Sequence, residues 1–299
     1  MKQRRWEAMR DFGELITSMI TPFDQNLKLD KNKTAKLIET LIVTGTDAVI
    51  IGGITGESET LSRDEKLVFF KMVKNMARKR LKVIASVTMT TPNETMEFVS
   101  QVDELGYADA IFVTIPYYIG LDQEGIVRYI EEMVEITDLP ILLYNGPIKT
   151  GVYIEPETVI RLSKMKTVIG IQEASEDLPS ITKMIAGVDD DFFVYAGDDR
   201  YALPILAIGA KGVVSVASHM YGQKIKEMIL YYKRGQVKRA SEYHHELSLT
   251  FDILHQKSPT FVKHVLKAKN LDMGSARNVY YEVDNEDDLF ARIIFGGGF

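Results

Sequence analysis

Eight short runs rich in valine and isoleucine recur along this chain, each followed by a longer stretch whose apolar residues have helical spacing, and no other feature narrows the fold as much. The runs cover residues 15–21, 48–52, 83–87, 110–115, 141–144, 168–172, 192–196 and 212–216. Among the intervening amphipathic stretches are residues 63–77, 94–105, 124–136 and 157–165; in the third, Ile126, Val127, Ile130, Met133 and Val134 share one helical face. Gly45, Gly106 and Gly209 stand where a helix gives way to the next run, a place suited to a residue that enters the left-handed region without a Cβ clash. Strands that are apolar on both faces and joined by helices belong to a parallel sheet covered on its outside. With eight such units and no G-x-G-x-x-G after the first run, the chain is expected to close into a (β/α)8 TIM barrel over residues 10–222 rather than form an open doubly wound sheet.

Residues 223–299 are more than one crossover helix needs. Helical patterns at 224–234 and 238–254, a break at Ser258-Pro259 and a further pattern around 261–268 predict a C-terminal helical layer packed on the barrel. No Gly/Ser linker sets this extension apart, and its last stretch, 285–299, is acidic before it ends in Gly296-Gly297-Gly298-Phe299.

Composition removes whole classes of chemistry. The absence of cysteine excludes disulfides, thiolate metal sites and a cysteine nucleophile. A net charge of -6 without a long like-charge block disfavours nucleic acid as a partner. No stretch nears the ~18 consecutive apolar residues of a membrane helix, and Met1-Lys-Gln-Arg-Arg-Trp leads into charged residues rather than an apolar signal core. A cytoplasmic protein with a small-molecule ligand, no membrane partner and no cofactor is expected.

In such a barrel, reactive groups sit at the carboxyl ends of the strands. The eight windows there include Gly52-Gly-Ile-Thr-Gly-Glu-Ser58, Ile115-Pro-Tyr-Tyr118, Tyr144-Asn-Gly-Pro147, Gln172-Glu-Ala-Ser175, Gly197-Asp-Asp199 and Ala217-Ser-His219. The first of these suits an anion cradle of backbone N–H groups; it equally suits a tight turn before a helix that Ser62 and Glu65 cap as a box. Tyr117, Tyr118 and Tyr144 are phenols that burial and neighbours can tune for proton relay, or packing residues with hydrogen-bonded hydroxyls. His219, Glu57, Glu173, Asp198 and Asp199 also fall in the windows, but one imidazole among carboxylates is a poor metal set, and no metal is expected. Glu57 reads as a structural acceptor for backbone amides, and the adjacent His244 and His245 as solvent or interface side chains.

Together these motifs resemble one family. Gly53-Ile-Thr-Gly-Glu-Ser58 is similar to its G-T-T-G-E-S loop and Pro116-Tyr-Tyr118 to its P-Y-Y. Tyr144-Asn-Gly-Pro-Ile-Lys-Thr-Gly151 is similar to Y-N-x-P-x-R-T-G, and Ile169-Gly-Ile-Gln-Glu-Ala174 to I-G-I-K-E-A. Gly197-Asp-Asp199 and Gly209-Ala-Lys-Gly-Val-Val-Ser215 fit the seventh and eighth strands, so the resemblance, from about residue 15 to 271, is to the dihydrodipicolinate synthase and N-acetylneuraminate lyase family of class I, pyruvate-handling aldolases.

The resemblance implies a lyase of C–C or C–O bonds acting through an imine between pyruvate and a lysine of the sixth strand. Gln172 stands at that lysine's position, and a carboxamide nitrogen is neither nucleophilic nor protonated near neutral pH. Ile54 replaces the first threonine of the loop and carries no transferable proton; Lys149 replaces the arginine that grips a carboxylate, a point charge for a fork. The resemblance thus assigns Tyr144, Gln172 and Tyr118 to the catalytic positions, and Ile54, Thr55, Lys149, Gly197 and Val214 to ligand binding. It also implies a homo-oligomer, dimer or tetramer, in which Tyr118 serves a partner's site. The expected function is binding of a small 2-oxo acid or related carboxylate with Schiff-base chemistry lost or altered; the alternative is a catalytically silent binding or regulatory homologue.

Overall fold

The computed structural model describes residues 11–277 of the chain. The outer parts of both expected domains, residue 10 and residues 278–299 with the acidic stretch, lie outside these. Eight strands form a closed, all-parallel barrel in sequence order: β1 (Leu15–Ser18), β2 (Ala48–Ile51), β3 (Lys82–Ser86), β4 (Ala110–Thr114), β5 (Ile141–Asn145), β6 (Val168–Glu173), β7 (Phe193–Ala196) and β8 (Gly212–Ser215). Every one of the eight apolar runs is a strand. The first stops short of the expected residue 21, because the Ile20 N–H leaves the ladder and donates to His219 Nε2.

The helices between strands are α1 (Lys31–Val43), α2 (Arg63–Ala77), α3 (Pro92–Leu105), α4 (Gln123–Ile136), the single turn α5 (Pro147–Thr150), α6 (Pro156–Leu162), α7 (Leu178–Gly187) and α8 (Ala202–Ala207). α2 begins in the capping box expected of Ser62 and Glu65, and α3 in a second one from Thr91 and Glu94; each box satisfies two orphan backbone donors. The glycine stops hold, with positive φ at Gly45, Gly106 and Gly209.

Alternation along the strands builds two cores. In β2, Ala48 and Ile50 join the barrel interior with Ile16, Ile84 and Phe112, while Val49 and Ile51 pack outward under the helices, where Phe70 and Phe98 meet at 6.0 Å. Strands buried on both faces therefore read as continuous apolar runs.

Among the described residues three helices follow β8: α9 (Ser218–Lys233), α10 (Val237–Lys257) and α11 (Thr260–Ala268). α9 starts at Ser218 and is kinked at Tyr221, whose backbone is non-helical at φ -127, next to the expected division between residues 222 and 223. α10 packs on α9 and crosses the segment after β7, which brings its C-terminal end to the barrel mouth.

Candidate functional site

β5 and β6 put Tyr144 opposite Gln172, both in the layer that faces the barrel axis at its carboxyl end. A cavity of about 130 Å³ opens beside them. Gln172 is buried and donates from Nε2 to the carbonyl of Gly197 at 3.4 Å. A Cβ on Gly197 would stand 2.7 Å from Gln172 Cγ and 2.9 Å from the Glu173 carbonyl, so only glycine lets the end of β7 approach this closely. Glu173, one residue on, faces away from the cavity by strand alternation: its carboxylate accepts from Asn145 Nδ2 and from the Ser175 N–H, both at 2.8 Å, and burial raises its pKa.

Tyr144 is fitted as closely. Its ring tilts against Phe112 at 5.6 Å, and a Cβ on Gly146 would come within 2.1 Å of its hydroxyl oxygen. Burial, with Glu173 and Asp198 adding repulsion, pushes the phenol up to about 12, so at neutral pH it is a protonated hydrogen-bond donor.

Of the glycine-rich loop after β2, Ile54 and Thr55 line the cavity. The amides of Glu57 and Ser58 turn back to the carbonyls of Ile54 and Gly53, at 3.0 and 3.1 Å, and so serve the turn rather than a ligand. The loop is the tight turn expected before the capped helix, and its leading edge, Ile54 and Thr55, faces the cavity. Lys149 lines the other side from α5, with Ile148 beside it, and Val214 contributes from β8.

Glu57 is an acceptor as expected, for one backbone amide, Arg277 N–H at 2.7 Å, and for an unforeseen cation. Its other oxygen takes Lys263 Nζ at 2.5 Å, in a pair whose side chains are 5% and 3% exposed. Lys263 also donates to the Ser275 carbonyl at 3.2 Å and stands 4.3 Å from the centre of the Phe23 ring. Arg277 grips both oxygens of Glu65 and the carbonyls of Leu27 and Thr60, and its guanidinium holds the Glu65 carboxyl down at about 2. The glycine-rich loop after β2 is therefore anchored from outside by the C-terminal layer.

That layer also roofs the cavity, with Phe251, Leu254, His255 and Ser258. These residues escape a search confined to strand ends; the break at Ser258-Pro259, which ends α10 at the mouth, is the trace they leave in the sequence. His255 Nδ1 lies 3.0 Å from Asp198 Oδ2, while Arg200 reaches Asp198 at 2.7 Å, Glu176 at 2.8 Å and His255 Nε2 at 3.2 Å. Glu176, Asp198 and His255 are close enough together to hold a metal ion, but a guanidinium bonds to all three and already supplies the positive charge.

Of the other candidates, Asp199 lines the cavity, while His219, His244 and Tyr118 lie outside it. Asp199 caps the β8 segment by accepting from the amides of Val216 and Ala217 at 2.9 Å; burial pushes its carboxyl up to about 6, and its Oδ1 has no partner among the described residues. His219 Nδ1 donates to the Val216 carbonyl at 2.8 Å, and burial lowers its imidazole to about 4, so it is neutral. His244 packs on Phe251 at 5.6 Å, whereas its neighbour His245 is exposed, so the two adjacent helical positions face different directions. Tyr118 lies outside the cavity of its own chain; it is 47% exposed, packs edge-on against Tyr117 at 5.2 Å, and directs its hydroxyl to the Met89 carbonyl at 3.5 Å.

The model of the dihydrodipicolinate synthetase family matches residues 11–293. A 4-hydroxy-tetrahydrodipicolinate synthase of Listeria monocytogenes serotype 4b is 39% identical over 289 residues, covering 96% of this chain and 99% of that protein. The synthase of the same name from Bacillus velezensis is 40% identical over 278 residues, 93% of this chain and 96% of its own. Among solved structures, a dihydrodipicolinate synthase of Bacillus anthracis superposes with a TM-score of 0.93 at 38% identity, covering 97% and 99% of the two chains. The chloride-inhibited synthase of Acinetobacter baumannii, solved in complex with pyruvate, gives 0.90 at 28% identity over 96% and 98%.

Proposed function

This chain belongs to the dihydrodipicolinate synthetase family, and from that premise we propose that its barrel mouth binds a small 2-oxo acid or related carboxylate without forming the covalent imine of pyruvate-handling aldolases. One observation carries the reading: Gln172 occupies the end of β6 opposite Tyr144, where the amine would have to attack the ketone. A carboxamide nitrogen has its lone pair delocalised into the carbonyl, and here it is already directed at the Gly197 oxygen.

In this reading Thr55 and Lys149 hold the carboxylate, Tyr144 donates to the ligand, and Gly197 and Val214 shape the wall around Gln172. Ile54, in place of a hydroxyl, interrupts proton relay and supports loss rather than mere slowing of the aldol step; the same two residues favour the second reading, a silent binding or regulatory homologue. The exposed Tyr117, Tyr118 and Ile119 support a homodimer or homotetramer in which Tyr118 reaches a neighbour's mouth. A cytoplasmic setting belongs to the same proposal; no described helix is long and apolar enough to cross a membrane.

The test is borohydride reduction in the presence of pyruvate, read by intact mass, beside calorimetric titration with pyruvate. Heat without a mass increment is expected, with the heat lost in Thr55→Val. An adduct on the unmodified chain refutes the proposal; an adduct mapped to Lys149 identifies a substitute nucleophile.

A further inference from the structure

We propose that the carboxylate taken by this cavity carries an aliphatic side chain: a branched or straight 2-oxo acid three to four carbons longer than a bare carboxylate and its ketone, in preference to pyruvate or a dicarboxylate. The inference rests on the binding mode proposed above and names its substrate class.

The two polar residues assigned to the carboxylate are each preceded by an isoleucine that lines the same cavity, Ile54 before Thr55 and Ile148 before Lys149. Both are large aliphatic side chains left in water, 41% and 58% exposed. A lone exposed aliphatic residue needs no explanation, but two that border one opening and continue into buried Phe112, Phe251 and Leu254 form an apolar collar around the ligand.

Several polar groups elsewhere on the wall are committed, while Asp199 Oδ1 and Ser258 Oγ have no partner among the described residues. Asp198 and His255 satisfy each other and Arg200; one oxygen of Asp199 takes two backbone amides; Gln172 donates to Gly197. A second carboxylate on the ligand would leave Lys149 shared and would face the carboxyl groups of Asp198 and Asp199. An aliphatic chain instead removes the collar from water and demands no hydrogen bonds.

The experiment is calorimetric titration of the full chain with pyruvate, 4-methyl-2-oxopentanoate and 2-oxoglutarate, repeated on Ile54→Thr and Ile148→Thr, whose exposed positions leave the core untouched. The longer aliphatic acid is expected to bind on the order of ten- to a hundredfold more tightly than pyruvate, with a more negative heat-capacity change. Ile148→Thr should shrink that preference several-fold while pyruvate affinity stays within about twofold, and Ile54→Thr should shrink it as well. Equal affinities for pyruvate and the aliphatic acid, or tightest binding of 2-oxoglutarate, overturn this inference and leave the carboxylate site standing. Absence of heat with every acid overturns both.

Discussion

Lys263 Nζ, on the penultimate turn of α11, stands 2.5 Å from Glu57 Oε1 in the loop that follows β2, and water reaches neither side chain appreciably. Glu57 adopts a left-handed backbone at φ 58, a conformation that a non-glycine residue holds only when its surroundings determine it. The pair, together with the Arg277 amide, supplies that determination, and it sits two residues from Thr55. A helix outside the barrel thereby sets the shape of a loop at its mouth.

Lys263→Met should lower stability by about 3–5 kcal/mol, because it strands a buried carboxylate. Adding Glu57→Gln should recover more than half of that loss, since no unpaired charge then remains. Urea denaturation of the two variants beside the parent checks this; a single variant as stable as the parent would show the pair to be incidental.

Gln172→Lys returns an amine to the end of β6, where burial will hold its pKa below that of a free lysine and favour the nucleophilic form. Borohydride with pyruvate should then add mass to most of the variant and to none of the parent. Turnover should remain low until Ile54→Thr restores a hydroxyl beside Thr55, with a further gain of about tenfold or more. Absence of an adduct in the variant would mean that the pocket has changed beyond one residue.

Gly197→Ala places a methyl group 2.7 Å from Gln172 Cγ and against the carbonyl of Glu173, which is backbone and cannot yield. Overpacking of this kind costs about 1–3 kcal/mol. Carboxylate affinity should fall by roughly an order of magnitude as Gln172 is displaced. Titration and thermal unfolding of the same sample separate the two effects; unchanged affinity would detach Gly197 from the site.

Two buried groups should oppose each other in acid. Burial holds His219 neutral, its folded pKa at about 4 against an ordinary 6.5, so its contribution to stability is present above the unfolded pKa and is lost as pH falls through 4. Asp199 is shifted upward, to about 6 from 3.8; its contribution is present below the unfolded pKa and is lost as pH rises through 6. Each amounts to about 3 kcal/mol, and between pH 6.5 and 4 they nearly cancel. Asp199→Asn should therefore make stability fall more steeply on acidification than in the parent, and His219→Gln should make it fall less. Parallel stability curves for parent and variants across this window would contradict both assignments.

Much of this was legible in the chain. The eight strands and the glycine stops follow from local patterning, because a strand buried on both faces must be apolar throughout. Gln172, Ile54 and Lys149 were likewise readable as candidates, since each sits in a motif at the end of a strand. His255, Phe251 and Leu254 were not, because α10 reaches the mouth only after folding back across the barrel, and nothing local to 251–255 marks that destination. Lys263 was hidden for the same reason, about 200 residues of chain separating it from Glu57.

Residue order alone determined the barrel, the capped helices and the carboxamide of Gln172 on the sixth strand, since these depend on periodicity, capping chemistry and the identity of one side chain. Tertiary structure alone decided what surrounds that position: an apolar collar, a roof from α10 and a loop held by Lys263. Contacts between segments distant in sequence are selected by burial and charge pairing in the closed fold, and those forces leave no period in the sequence to be read.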